Sequence, residues 1–115
     1  MSWTFKGMDA VGSKGWVYGD LVHNQKVTRS GLEPRTMVGG YEVLPESVCI
    51  CTGVKDSSGR LIYEDDIMTY VEEGVYHKGY VEYQDGRFVV KCKEGVFLIS
   101  DEWTVTGNLN DKGRS

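Results

Sequence analysis

Three acidic side chains in a row, Glu64-Asp65-Asp66, form the densest chemistry-bearing cluster of the chain. Two readings fit them. Neighbouring carboxylates can work as an acid–base pair or collect a metal ion. The same residues also suit a turn in which one carboxylate accepts backbone N–H bonds while the others face solvent. The turn is the preferred reading, because paired catalytic carboxylates come with a partner constellation and none is visible here. His23 and His77 are far apart in the sequence and sit among polar residues, which places them at the surface or a rim rather than as ligands or bases. The three cysteines, Cys49, Cys51 and Cys92, are an odd count and read as free thiols. Cys49 and Cys51 are two apart, so on a strand they share one face and act as small core hydrophobes. A zinc site would want four ligands, commonly with Cys-x-x-Cys spacing. Ser30, Ser47, Ser57, Ser58 and Ser100 lack a Gly-x-Ser-x-Gly setting, and no Walker loop or Gly-x-Gly-x-x-Gly run occurs. Acyl transfer, nucleotide hydrolysis and dinucleotide chemistry therefore have no support. No catalytic residue, metal ligand or cofactor is assigned, and the chain is read as a non-enzyme.

Binding is the remaining option. Trp16, Tyr18, Tyr80 and Tyr83 stand out among many aromatics, with Arg87, Lys91 and Lys93 near the last two. Such a set could stack the bases of single-stranded nucleic acid, anchor a protein interface, or simply fill a core and its cross-strand pairs. A net charge of −4 and a pI near 5.1 argue against nucleic acid, which needs clustered cations to meet its phosphates. The core reading is preferred for most of these rings.

The elements that must position these residues are β-strands. At 115 residues, with fifteen Gly and two Pro, the chain has the length of one domain and the composition of many short turns. Trp3 to Lys6 is a short strand, and Gly12 to Gly15 a turn. Trp16 to Val22 alternates, with Gly19 marking a bulge or a close backbone approach. Residues 23 to 40 are the least patterned stretch: a short strand near Lys26 to Thr28, then a loop. Val48 to Thr52 is a buried strand leading into the Asp56-Ser57-Ser58-Gly59 turn, and Ile67 to Glu72 is the next strand. Asp85-Gly86 between two alternating runs marks a hairpin, since a type I′ turn needs positive φ. Further strands run from Val96 to Ile99 and from Trp103 to Thr106. The expected architecture is all-β: a small, partly open antiparallel barrel of SH3-like type over residues 45–110. Residues 1–44 add an N-terminal β-hairpin or arm, and 111–115 are a frayed tail. An arm of this kind can pair with a neighbouring subunit, because edge strands invite augmentation.

Three segments, in order, resemble the YopX family of phage and prophage proteins. Trp16-Val17-Tyr18-Gly19-Asp20-Leu21 is similar to that family's early segment. The central signature is matched by Pro45 to Val48, then Thr52-Gly53-Val54-Lys55-Asp56, Gly59, and Ile62-Tyr63-Glu64 with Asp66-Ile67. Val105-Thr106-Gly107-Asn108-Leu109 resembles the closing segment. Asp65 stands where the family usually has Gly, and the tail from Asn110 departs from the usual ending. The resemblance implies an all-β protein encoded by phages or prophages and carries no catalytic residues. The motif residues Gly19, Asp20, Thr52, Gly53, Asp56, Gly59, Ile62, Tyr63, Glu64, Asp66, Ile67, Gly107 and Asn108 have backbone reasons to be what they are.

The sequence thus points to an accessory protein acting through contacts with a host or phage protein, as a homo-oligomer. A small-barrel binder of single strands is the alternative, and a carboxylate–metal enzyme at Glu64 and Asp66 a distant third. No apolar run is long enough to span a membrane, and no secretory leader is seen. The expected location is the cytoplasm of a bacterial host.

Overall fold

A computed structural model describes residues 4–11 and 14–111. The expected strand start at Trp3, the first half of the Gly12–Gly15 turn and the end of the tail lie outside those residues. Twelve strands and one short 3-10 turn account for the secondary structure, with no α-helix among the described residues. The all-β class and the antiparallel pairing agree with the sequence. The sheets themselves stay open and do not close into a barrel. The chain divides into two compact units, Met1–Ile50 and Cys51–Ser115.

In the first unit, β1 (Phe5–Met8) pairs with β2 (Trp16–Gly19) from Phe5↔Gly19 to Met8↔Trp16. Its other edge takes Cys49 and Ile50, which open β6 (Cys49–Lys55). β3 (Leu21–Thr28), β4 (Gly31–Val38) and β5 (Tyr41–Val43) form a meander. Val17, Val38 and Val43 are the core, flanked by Phe5, Leu21 and Val48. After β5, Pro45–Ser47 makes a 3-10 turn. Ser47 locks it to β1: its Oγ accepts from the Met8 N–H at 2.7 Å and donates to the Leu44 carbonyl at 2.7 Å.

Residues 23 to 40 correct the expectation of a short strand and a loop. They belong to a regular hairpin, paired from Leu21↔Val38 to Thr28↔Gly31 around a tight turn at Arg29-Ser30. The missing signal has a physical cause. Val22 to Gln25 and Gly31 to Pro34 are all exposed, so no buried face imposes a period of two on the sequence. Pro34 fits mid-strand because of register. The Gly39 N–H donates to the Asp20 carbonyl at 3.1 Å, which makes Leu21↔Val38, and hence Gln25↔Pro34, non-hydrogen-bonded pairs. Proline's absent N–H would point away from β3, and β5 begins pairing only at Thr36.

In the second unit, the rest of β6 pairs with β7 (Leu61–Tyr63) between Cys51↔Tyr63 and Lys55↔Leu61, with a register shift between them. A five-stranded sheet follows, in the order β11-β10-β9-β8-β12. Its strands are β8 (Asp66–Glu72), β9 (Val75–Gln84), β10 (Arg87–Cys92), β11 (Gly95–Leu98) and β12 (Thr104–Asn108). The Asp85-Gly86 hairpin is as expected, with φ of 52° and 84° closing Gln84↔Arg87. Glu73-Gly74 repeats the device between β8 and β9, with φ of 50° and 79°. The core comprises Ile62, Met68, Val81, Val90, Trp103 and Val105, with Tyr70, Phe88 and Phe97 packed against it.

Candidate functional site

The sequence-derived candidates fall into two sets, one in the hydrogen-bonded framework of the second unit and one on sheet surfaces. Asp56 anchors the first. Its side chain is buried at 3% exposure. Oδ1 accepts from the Ser58 N–H, the Ser58 hydroxyl and the Arg60 N–H, each at 2.9 Å. Oδ2 accepts from the Val105 N–H of β12 at 2.9 Å. Burial pushes the carboxyl's pKa up, but the bonds from Val105, Arg60 and Ser58 outweigh it, and the net shift is downward. Ser57 completes the clamp: its N–H donates to the Trp103 carbonyl at 2.9 Å, and its hydroxyl meets that of Thr104 at 2.6 Å. This turn therefore covers the open edge of β12.

The acidic cluster is a second clamp. Asp66, 1% exposed, accepts from the Tyr63 N–H at 2.7 Å and from the Asn108 side-chain amide at 2.9 Å. Asn108 also donates to the Glu64 carbonyl at 3.3 Å and accepts from the Asn110 N–H at 2.8 Å. The Leu109 N–H donates to the Asp65 carbonyl at 2.8 Å. The central and closing motifs thus meet through Tyr63, Glu64, Asp66 and Asn108. Gly107 sits at the register shift where β12 leaves Val105. Thr52 belongs to the same framework, its hydroxyl donating to the Ile62 carbonyl at 2.8 Å, and Gly53 and Gly59 take φ of 83° and 88°. Among the described residues no group of three His, Cys, Asp or Glu side chains is placed to hold a metal ion.

Asp65 takes the left-handed conformation, φ 69°, as its place at a usual glycine position demands. Its carboxylate accepts from the Asn110 side chain at 3.3 Å, a long bond that returns little. Asp65→Gly should change stability by no more than about 0.5 kcal/mol, whereas Asp65→Val should lose about 2 kcal/mol, because a β-branched residue resists positive φ. Urea unfolding midpoints of the two variants check this.

Gly19 and Asp20 serve the first unit. A Cβ on Gly19 would lie 2.7 Å from the Gly39 Cα, so the close backbone approach read from the sequence is present. The Asp20 carbonyl holds the Gly39 N–H.

Of the residues outside the clamps, His77, Glu94 and the cysteines have defined settings. His77 sits at the rim, as expected: its side chain is half-buried at 13% exposure and bonds the more exposed Glu94 at 2.7 Å. It stacks 6.0 Å from Tyr70 and lies 5.3 Å from Phe97, beside Trp103 in the same aromatic cluster. Glu94's carboxyl is held below its usual pKa by its own backbone N–H first, then by His77. Cys49 and Cys51 are buried, as expected of core hydrophobes. Burial, with Glu94's charge adding to it, pushes the Cys92 thiol up, away from the reactive thiolate.

The six surface candidates do not converge. Trp16 and Tyr18 lie on β2, with the Lys6 ammonium 4.4 Å from the Trp16 ring centroid. Tyr80, Arg87 and Lys91 share the outer face of the five-stranded sheet, where Tyr80 pairs directly with Lys91. Tyr83 alternates onto the opposite face and meets Phe88 edge-on at 5.0 Å. Glu82 sits among the outer-face cations, 3.6 Å from the Lys91 ammonium and 3.4 Å from the Tyr80 hydroxyl.

That outer face carries residues the sequence reading passed over. Val71 and Tyr76 pair across β8 and β9 at 62% and 60% exposure, and Val96 and Leu98 on β11 are 55% and 64% exposed. Toward the β12 edge of the sheet, Ile67, Lys78, Gly79, Tyr80 and Leu109 line an open apolar cleft of about 210 Å3. The adjacent apolar pairs Ile67-Met68 and Tyr70-Val71 on β8, and Val75-Tyr76 and Tyr80-Val81 on β9, were the available clue, since a strand apolar on both faces has a second surface to account for.

An all-β protein with two internal carboxylate clamps and an apolar, cation-bearing sheet face is the class that fold and site define. The chain belongs to the YopX family, whose model, described as YopX protein, matches residues 14–113. A solved structure, that of protein EF1440 from Enterococcus faecalis, shares the fold with a TM-score of 0.55 at 21% identity. The match covers 94% of this chain and 93% of that one. Comparison with curated proteins gives no match.

Proposed function

We propose that the chain is a phage- or prophage-encoded accessory protein that works in the host cytoplasm by binding another protein, with no catalysis of its own. The observation that carries this reading is where the side chains are spent. The motif carboxylates Asp56 and Asp66 are buried and bonded to their own backbone and to Asn108, which leaves them no role toward a substrate. Large apolar side chains are instead displayed on ordered strands, with Val71, Tyr76, Val96 and Leu98 on one sheet face. Exposed apolar side chains on rigid strands, interspersed with polar ones, are what a protein interface uses. Self-association has its own support in β3, an eight-residue edge strand with no proline and an unshifted register.

A pull-down from host lysate with and without nuclease tests the reading. Partners that resist nuclease and are lost from a Val71→Asp/Leu98→Asp variant are the expected result. Partners that vanish on nuclease treatment would replace it with a single-strand binder.

A further inference from the structure

We propose that the Ile67–Tyr80–Leu109 cleft seats an aliphatic side chain from an acidic segment of a partner protein, with Lys78 and Lys91 meeting the flanking carboxylates. The proposal rests on the protein-binding reading above and adds the chemistry of the partner. Ile67 and Tyr80 are a directly opposed pair of β8 and β9, and they form a rigid apolar floor. Leu109 is 53% exposed, and its backbone is fixed in place: its N–H bonds the Asp65 carbonyl and Asn108 before it is bonded to Asp66. A costly exposed leucine held by a buried network is a preformed wall. At about 210 Å3 and open to solvent, the cleft is below the roughly 300–1,000 Å3 of small-molecule sites. It has room for a side chain presented by a strand or loop.

Charge selects the partner. The chain as a whole carries −4, but this face shows Lys78, Arg87 and Lys91 against two carboxylates, Glu82, which pairs with Lys91, and Asp111, which stands beside Gly107 and Ile67. Lys78 is exposed and makes no ion pair among the described residues. It lies on the rim of the apolar floor, where a carboxylate next to a buried aliphatic anchor would reach it. An acidic, apolar peptide satisfies both features at once. A nucleic-acid strand satisfies them less well, because the cleft walls are apolar and the Tyr80 hydroxyl is tied to Glu82 rather than free for a base or phosphate.

Fluorescence polarisation tests this with a labelled short peptide in which two leucines are flanked by Glu and Asp. Controls are the same peptide with Lys for its acids, one with Ser for its leucines, and oligothymidine. The acidic peptide should bind most tightly, and binding should weaken as salt rises. Leu109→Ser should weaken it about tenfold and Lys78→Glu about fivefold, at unchanged unfolding midpoints. Amide shifts on titration should centre on Ile67, Lys78 and Tyr80. Equal binding of the Lys-flanked or Ser-substituted peptide, stronger binding of oligothymidine, or indifference to Leu109→Ser overturns the proposal. If nuclease-resistant partners are captured equally by wild type and by both cleft variants, the cleft assignment fails while the protein-binding reading stands.

Discussion

Asp56→Ala is expected to lower stability at neutral pH by about 3 kcal/mol, equivalent to a fall in Tm of roughly 10–20 °C. Four donors converge on this one buried carboxylate, and three of them are backbone N–H groups. Truncation leaves them without an acceptor in a place water reaches poorly. Asp56→Asn should be nearly as costly, because its amide offers one acceptor oxygen and points N–H groups at N–H donors. The pH dependence follows from the lowered pKa. The unfolded chain binds this proton more readily than the folded one, so the stabilisation is fully present above about pH 5. It is lost as pH falls through the folded value, below the ordinary 3.8. Between about pH 5 and pH 3, unfolding free energy should therefore drop more steeply for wild type than for Asp56→Ala. Parallel curves for the two proteins would show that the carboxylate does not carry the clamp. Calorimetry across that range measures it directly.

Gly39→Ala is the second large effect. Gly39 follows β4 with φ of 59°, and a Cβ there would run into the Tyr18 carbonyl oxygen. The collision is with backbone, so no rotamer change relieves it. On the other side of the same contact, Gly19 has φ of 148°, and its Cβ would press on the Gly39 backbone. Either alanine should cost about 3 kcal/mol or more, from backbone displacement added to conformational strain. Gly40→Ala is the control: φ is 87° but nothing lies near the new Cβ, so only the strain of about 1 kcal/mol applies. Hydrogen exchange should locate the loss. Gly39→Ala should weaken protection of β1 to β5, which pack on Val17, Val38 and Val43. Equal effects of Gly39→Ala and Gly40→Ala would rule out the close contact as the cause.

Turn chemistry was the most legible part of the chain. Asp85-Gly86 specified its hairpin because two successive positive φ values admit few other residue pairs. The Asp56 turn and the close approach at Gly19 were readable for the same reason: each is a constraint on a short piece of backbone. The acidic cluster was correctly read as a turn, since no partner constellation accompanied it. The β3–β4 hairpin was illegible, because strands exposed on both faces need no alternation. The aromatic setting of His77 was not legible, because Tyr70, Phe97 and Trp103 come from three other segments and meet it only in space.

The sequence by itself determined the all-β class, the turns and the family, because these depend on local φ preferences, period-two patterning and motif order. Only the tertiary structure decided that the sheets stay open, that Asp66 and Asn108 meet, and that Tyr80 and Lys91 share a face from which Tyr83 is excluded. Those outcomes depend on strand register and on contacts between residues forty or more positions apart, such as Asp66 with Asn108. A chain's local preferences leave such pairings open until packing selects one of them.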